Sequence, residues 1–162
     1  MEVWLFMMLV SHIVFTVSLM LLLCDVFHVY SVLSSVNIVL LVCLMNILID
    51  YGHVRRGRYI VRSRITHDFL MIPLLSLIIS ILDVFIVSAT SKSLDLYAVY
   101  WIYIIALLTG WIHLLMDSLT GRGVYIAGRR FSIAHYNSYD IGLNLIFILV
   151  GVILLLISLL VL

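Results

Sequence analysis

Residues 97–123 read YAVYWIYIIALLTGWIHLLMDSLTGRG. Tyr97–Met116 contains no Asp, Glu, Lys or Arg and matches the roughly 20 apolar residues that a helix needs to cross a bilayer. His113 and Asp117 stand where that run ends. Residues four apart share a helix face, so the imidazole and the carboxylate project into the same space. Withdrawing either group from water costs several kcal/mol unless something neutralises it. A divalent cation held by both is the most economical neutraliser, because imidazole plus carboxylate is a zinc-competent pair.

The rest of the chain has the same character. It has 162 residues, 65% hydrophobic and 10% charged, with a mean hydropathy of +1.31. Soluble chains carry about 25% charged residues, so a soluble domain is excluded. The net charge of +1 gives no case for nucleic acid as a partner. Cys24 and Cys43 lie in apolar runs without metal-type spacing and read as small core residues. The N-terminus, MEVWLFMMLVSHIVF, has neither a basic leader nor a small-residue cleavage site, and is expected to be mature sequence.

Five segments qualify as spans: Val3–Cys24, Val26–Ile49, Phe69–Ser88, Tyr97–Met116 and Ile141–Leu162. They lack the period-2 alternation of a membrane barrel. The expectation is a single all-α integral membrane domain, 1–162, built as a bundle of about five transmembrane helices. Two long connections, 50–68 and 117–140, hold Arg55, Arg56, Arg58, Arg62, Arg64, Arg122, Arg129 and Arg130. Only Lys92 lies in a connection on the other side. The positive-inside rule therefore places both long loops and the N-terminus in the cytoplasm of a multi-pass cell-membrane protein. Tyr97, Tyr100, Trp101 and Tyr103 suit the outer aromatic belt, and Trp4 and Trp111 the inner interface. Thr66 and Asp68 are expected to cap and charge the start of the third helix, with Pro73 early in it.

That topology sorts the polar residues. Asp50 closes the second span, His67 opens the third, and His113 and Asp117 close the fourth, so all four collect at the cytoplasmic face. His12 in the first span is a further candidate. Asn46 lies one turn before Asp50, where it can hold that carboxylate. His53 and His135 read as solvated loop residues, while Asp25 and His28 fall on the opposite side. Asp83, deep in the third span, suggests an internal polar contact or an ion path. Two histidines and two carboxylates suit a catalytic zinc or comparable divalent ion that acidifies a water and polarises a phosphoryl or carbonyl oxygen. Asp50 is the candidate base. Arg62, Arg64 and Arg122 are candidates for holding a substrate phosphate, by charge and bidentate geometry. The partners expected are membrane lipid and a phosphorylated, lipid-like substrate entering from the inner leaflet; the oligomeric state is left open.

LIDYGH at 48–53, RITHD at 64–68 and HLLMDSLTGRGV at 113–124 resemble the YdjM-like membrane-bound metal-dependent hydrolases. Members of that family show a PDxDH-like, an RGxTHS-like and an HxxxD-SxTxxG-like stretch in the same order. The order of His12, Asp50, His67, His113 and Asp117 is also similar to the ligand order of zinc-dependent phospholipase C. The resemblance implies one metal site formed by Asp50, His67, His113 and Asp117, with His12 sharing Asp117 in a neighbouring site, and hence one or two ions. The chain departs from the pattern at Ile49, where proline is usual, at Gly52, where a second acid is usual, and at Asp68, where serine is usual. Two other functions fit the residues. A metal or proton transporter needs a polar path across the bilayer, and a non-enzymatic scaffold needs only the basic loops to grip lipid or a partner.

Overall fold

The computed structural model describes residues 2–31, 33–56, 59–90, 95–137 and 140–161. Arg58 and Lys92 lie outside the described residues, as do the side chains of Trp4, Arg55 and Arg56. The described residues form five helices, α1 (Glu2–Val26), α2 (Ser35–Tyr51), α3 (Ile72–Thr90), α4 (Leu96–Ser118) and α5 (Ile141–Val161). Two small antiparallel hairpins decorate one end, β1 (His53–Arg56) with β2 (Tyr59–Arg62), and β3 (Val124–Ile126) with β4 (Arg129–Phe131). The protein is an all-α membrane bundle: α1, α3, α4 and α5 are each long and apolar enough to cross a bilayer.

The helix α2 is shorter than a continuous Val26–Ile49 span. Its 17 residues reach about 26 Å at 1.5 Å per residue, a little under the ~30 Å hydrocarbon core. The chain first turns sharply after α1, with His28 at φ 54° and a 3-10 turn at Val29–Ser31. Ser34 then caps α2 by accepting the Asn37 N–H at 3.3 Å. The helix α3 likewise starts at Ile72, three residues after the expected Phe69. Thr66 and Asp68 are engaged elsewhere, and Pro73 occupies the second helical position, where its missing N–H costs nothing. Asp95 caps α4 by accepting from the Ala98 N–H at 2.7 Å, and Asp140 does the same for the Leu143 N–H at 2.9 Å at the start of α5.

The bundle has an apolar core in which polar side chains are also buried, and its outer surface is apolar as well. Leu74, Leu77, Ile78, Ile81, Leu82 and Phe85 of α3 and Leu145, Ile146, Leu149 and Leu156 of α5 are exposed, whereas Ser11, Thr16, Asn46, Ser76 and Thr109 are buried. Such an arrangement is stable only where the surroundings are lipid, whose tails gain nothing from hiding Leu or Ile. Close helix approach depends on small residues. A Cβ on Gly110 would lie 2.6 Å from Met45 Cε and 2.7 Å from Ile72 Cγ2, so α2, α3 and α4 meet at that level. One Cβ on Gly151 would lie 3.0 Å from the Val14 carbonyl oxygen, where α1 packs along α5.

The β3–β4 hairpin folds back onto the segment before α3. The Tyr125 N–H donates to the His67 carbonyl at 2.7 Å, and the Phe69 N–H donates to the Tyr125 carbonyl at 3.0 Å. Its two-residue turn has both central residues at positive φ, Ala127 at 51° and Gly128 at 75°, the backbone that matches strand twist in a tight hairpin. The Asp68 carboxylate accepts the N–H groups of Ala127 (3.3 Å) and Gly128 (2.7 Å) as well as that of Leu70 (3.0 Å). Asp68 therefore pins the hairpin and is not a helix-dipole residue.

Candidate metal centre

Helix ends and the two hairpins converge on one polar cluster. The last turns of α4 present His113 and Asp117, α1 presents His12, and α2 ends in Asp50. The first residue of β1 is His53, and the loop before α3 holds His67. Two neighbouring ligand sets result: His12, His113 and Asp117 in one, Asp50, His53 and His67 in the other, each with its donor atoms within 4.8 Å of one another. The sets are joined. His67 Nε2 is 3.4 Å from Asp117 Oδ2, His113 Nε2 is 3.7 Å from Asp117 Oδ2 and 3.6 Å from Asp50 Oδ1, and His12 Nε2 is 3.5 Å from Asp117 Oδ1. Tetrahedral ligands at zinc bond lengths of about 2.0–2.1 Å stand about 3.3–3.4 Å apart, so these separations are those of donors around a small cation.

The orientation of the rings fits the same purpose. Among the described residues, Nε2 of His53, His67 and His113 and Oδ2 of Asp117 are buried without a hydrogen-bond partner. Leaving such atoms unmatched costs about 1–3 kcal/mol each, a cost that cations bound within these two groups would relieve. The opposite ring nitrogens are held. Asn46 Nδ2 donates to the Val42 carbonyl at 2.8 Å and to Thr16 Oγ1 at 2.9 Å. Its Oδ1 therefore faces His113 Nδ1, 2.8 Å away. An amide oxygen can only accept, so His113 carries its proton on Nδ1 and has its lone pair on Nε2. The same logic applies to His53, whose Nδ1 donates to the Asp50 carbonyl oxygen at 2.5 Å. His67 Nδ1 is hydrogen-bonded with the Thr66 hydroxyl at 2.9 Å. Burial, working against the pull of Asp117, pushes the His67 pKa down to about 3. That ring is neutral at physiological pH, as a ligand must be.

Asp117 carries a second charge partner. Arg62 Nη2 donates to its Oδ1, while Arg62 Nη1 donates to the Asp117 carbonyl (3.2 Å), Thr120 Oγ1 (3.1 Å) and the Gly123 carbonyl (2.6 Å). Arg62 is buried, with 4% of its surface exposed. It stitches the base of the first hairpin to the end of α4. Its cross-strand partner in the β1–β2 register is His53, so one hairpin delivers both a candidate ligand and the clamp on Asp117.

The six clustered residues include all five expected ligands, His12, Asp50, His67, His113 and Asp117, and add His53. Read from sequence as a solvated loop residue, His53 has a side chain only 9% exposed. The available signal was its position three residues after Asp50 at a helix end. His12 reaches the site from α1, with its Nε2 3.5 Å from Asp117 Oδ1. Asn46 serves His113 and not Asp50. Arg64 is exposed, with its guanidinium 5.7 Å from the centre of the Tyr125 ring, and Arg122 lines a neighbouring cavity together with Arg62, Tyr125 and Arg130. His135 is exposed and outside the cluster. Asp25 accepts from the Ser158 hydroxyl at the opposite end of the bundle.

The chain belongs to the DUF1286 family of proteins of unknown function, whose family model matches residues 7–116. That range includes His12, Asp50, His53, His67 and His113 and ends one residue before Asp117. Neither the curated proteins nor the solved structures contain a match.

Proposed function

We propose that this DUF1286 protein is a membrane-embedded, metal-dependent hydrolase that acts on a phosphoester, lipid-like substrate at the cytoplasmic face of the cell membrane. The supporting observation is the convergence of six imidazole and carboxylate side chains from separate elements, with unmatched Nε2 and Oδ2 atoms facing one another. The resemblance of the three sequence blocks to the YdjM-like hydrolases points the same way. A divalent ion, zinc by the donor set, bound there as one or two ions would supply Lewis-acid polarisation of the phosphoryl oxygen and a more acidic water. His12, His113 and Asp117 hold one side of the donor set, and Asp50, His53 and His67 the other. Asn46 and Thr66 fix the rings, and Arg62 balances the charge of Asp117. Asp50 is the proton acceptor of choice: its side chain is 19% exposed against 1% for Asp117, so it borders the open side, where water and substrate arrive.

The direct test is hydrolysis by purified full-length protein. A fluorescent glycerophospholipid in mixed micelles should release its phosphorylated headgroup. Chelation should abolish the release, and added zinc should restore it. Wild-type protein with full metal occupancy that turns over no phosphoester would refute the hydrolase reading.

A second reading has its own supporting observation. Asp83 is buried in α3 with both carboxylate oxygens unmatched among the described residues, as are the hydroxyls of Ser76 and Thr109. Buried carboxylates inside a span mark ion or proton paths. A transporter would move zinc or protons across proteoliposomes and lose that flux in Asp83→Asn, whereas a hydrolase would show no uptake.

A further inference from the structure

Beside the metal-ligand cluster lies a second feature that the ligands do not explain. A cavity of about 160 Å³ is lined by Arg62, Arg122 and Arg130 together with Val61 and Tyr125. It has room for about five waters at ~30 Å³ each, and therefore for a group of five heavy atoms. No carboxylate is among its lining residues. Three of its five lining residues are arginines, and one of them, Arg62, is almost wholly withdrawn from water. Arg62 is paired with Asp117, and an anion in the cavity would add a counter-charge facing Arg122 and Arg130 as well.

The guanidinium groups of Arg62 and Arg130 are also held in place. Arg62 is fixed by Asp117, Thr120 and Gly123, yet its Nε, buried, has no hydrogen-bond partner among the described residues. Arg130, itself exposed, donates from Nε to the Arg122 carbonyl at 2.8 Å and from Nη2 to the Gly121 carbonyl, which ties its side chain to the segment that carries Arg122. Arg64 lies over the outer part of the wall through the Tyr125 ring. Rigid, planar, multi-donor cations around a small cavity are the chemistry that recognises phosphate oxygens.

We propose that this cavity is a phosphate-binding site, formed by Arg62, Arg122 and Arg130, that seats a phosphate group next to the metal-ligand cluster. Arg62 belongs to both places, because it lines the cavity and its guanidinium contacts Asp117. The anion site stands on the cavity alone. Its role as the substrate's phosphate pocket rests on the hydrolase reading, and it assigns that reading a phosphate-bearing substrate class. The phosphate group has two sources, a lipid headgroup or a free phosphate ion.

The experiment uses full-length protein in uncharged detergent after chelation, so that binding is read without metal. Inorganic phosphate is titrated by calorimetry into wild type, Arg122→Gln, Arg130→Gln and Arg130→Lys. Saturable binding is expected in wild type, weakened tenfold or more in each glutamine variant and less in the lysine variant, and weakened in all by raised salt. In parallel, native mass spectrometry compares retention of phosphatidic acid with that of phosphatidylcholine. Preferential retention of phosphatidic acid, lost in Arg122→Gln, identifies a lipid headgroup as the source. Phosphate binding without lipid preference identifies the free ion. Wild type that binds neither, or variants of unchanged melting temperature that bind both as tightly as wild type, would overturn the site. Arg122→Gln carries the test alone if Arg130→Gln does not fold. Zinc content of unchelated protein separates the two ideas: zinc without phosphate binding removes only the anion site, and phosphate binding without zinc removes only the metal centre.

Discussion

Asn46 illustrates how a residue with no metal-binding atom of its own decides the chemistry of one that has. By giving its N–H groups to Val42 and Thr16 it turns its oxygen to His113 and selects the tautomer with Nε2 open. Outer partners of this kind typically tune metal affinity about 10–100-fold. Asn46→Ala should weaken zinc binding by that order without abolishing it, as read by competition with a chelating dye; an unchanged affinity would remove Asn46 from the site's supporting structure. Arg62 makes a different case. Taking away one member of a buried ion pair leaves the other charge uncompensated, typically at a cost of about 3–5 kcal/mol. Arg62→Met should therefore lower the melting temperature of the metal-free protein sharply. Saturating zinc should recover part of the loss, because a cation then faces Asp117. Equal losses with and without zinc would contradict a shared role.

Among the elements, the hairpins carry information that helix periodicity does not. His53 and Arg62 are cross-strand partners, and His67 is fixed from behind by Tyr125 of β3. The apolar runs that become α1, α3, α4 and α5 were legible because length and hydropathy alone define a membrane helix. His113, Asp117 and Asp50 were legible because they lie at the ends of such runs. The buried placement of His53 was not: Val54, Ile60 and Val61 around Gly57-Arg58 form a hairpin pattern, but the five arginines of that segment made it read as a solvated loop. The Arg62–Asp117 pair was equally hidden, since it joins residues 55 positions apart and no local pattern encodes it. Gly52 offers a test at this scale. A Cβ there would come within 1.9 Å of Thr66 Oγ1 and 2.6 Å of Thr66 Cβ, so Gly52→Ala must displace the segment that holds His67. Zinc affinity should fall at least tenfold while helical content by circular dichroism stays as in wild type. Retained affinity would mean that the His67 loop is not positioned through this contact.

For the whole molecule, the distribution of polarity explains both the membrane assignment and the location of the site. Exposed Leu and Ile cover α3 and α5, while buried serines, threonines and Asn46 line the interior. The ligand cluster collects at the end of the bundle that also carries both hairpins and, among the described residues, seven arginines, Arg55, Arg56, Arg62, Arg64, Arg122, Arg129 and Arg130. The positive-inside rule then predicts that this end faces the cytoplasm. In a cysteine-free background, a cysteine at His135 should react with an impermeant maleimide only in inside-out vesicles, and one at Asp95 only in right-side-out vesicles. The reverse pattern would turn the site outward.

The account depends above all on a cation bound between these helices. Zinc content of gently purified full-length protein, measured by plasma mass spectrometry for wild type and Asp117→Ala, tests it most directly. The prediction is one to two equivalents in wild type and less than a tenth of that in the variant. Metal-free wild type that takes up no zinc, manganese or iron on reconstitution, or an Asp117→Ala protein that holds as much metal as wild type, would contradict it.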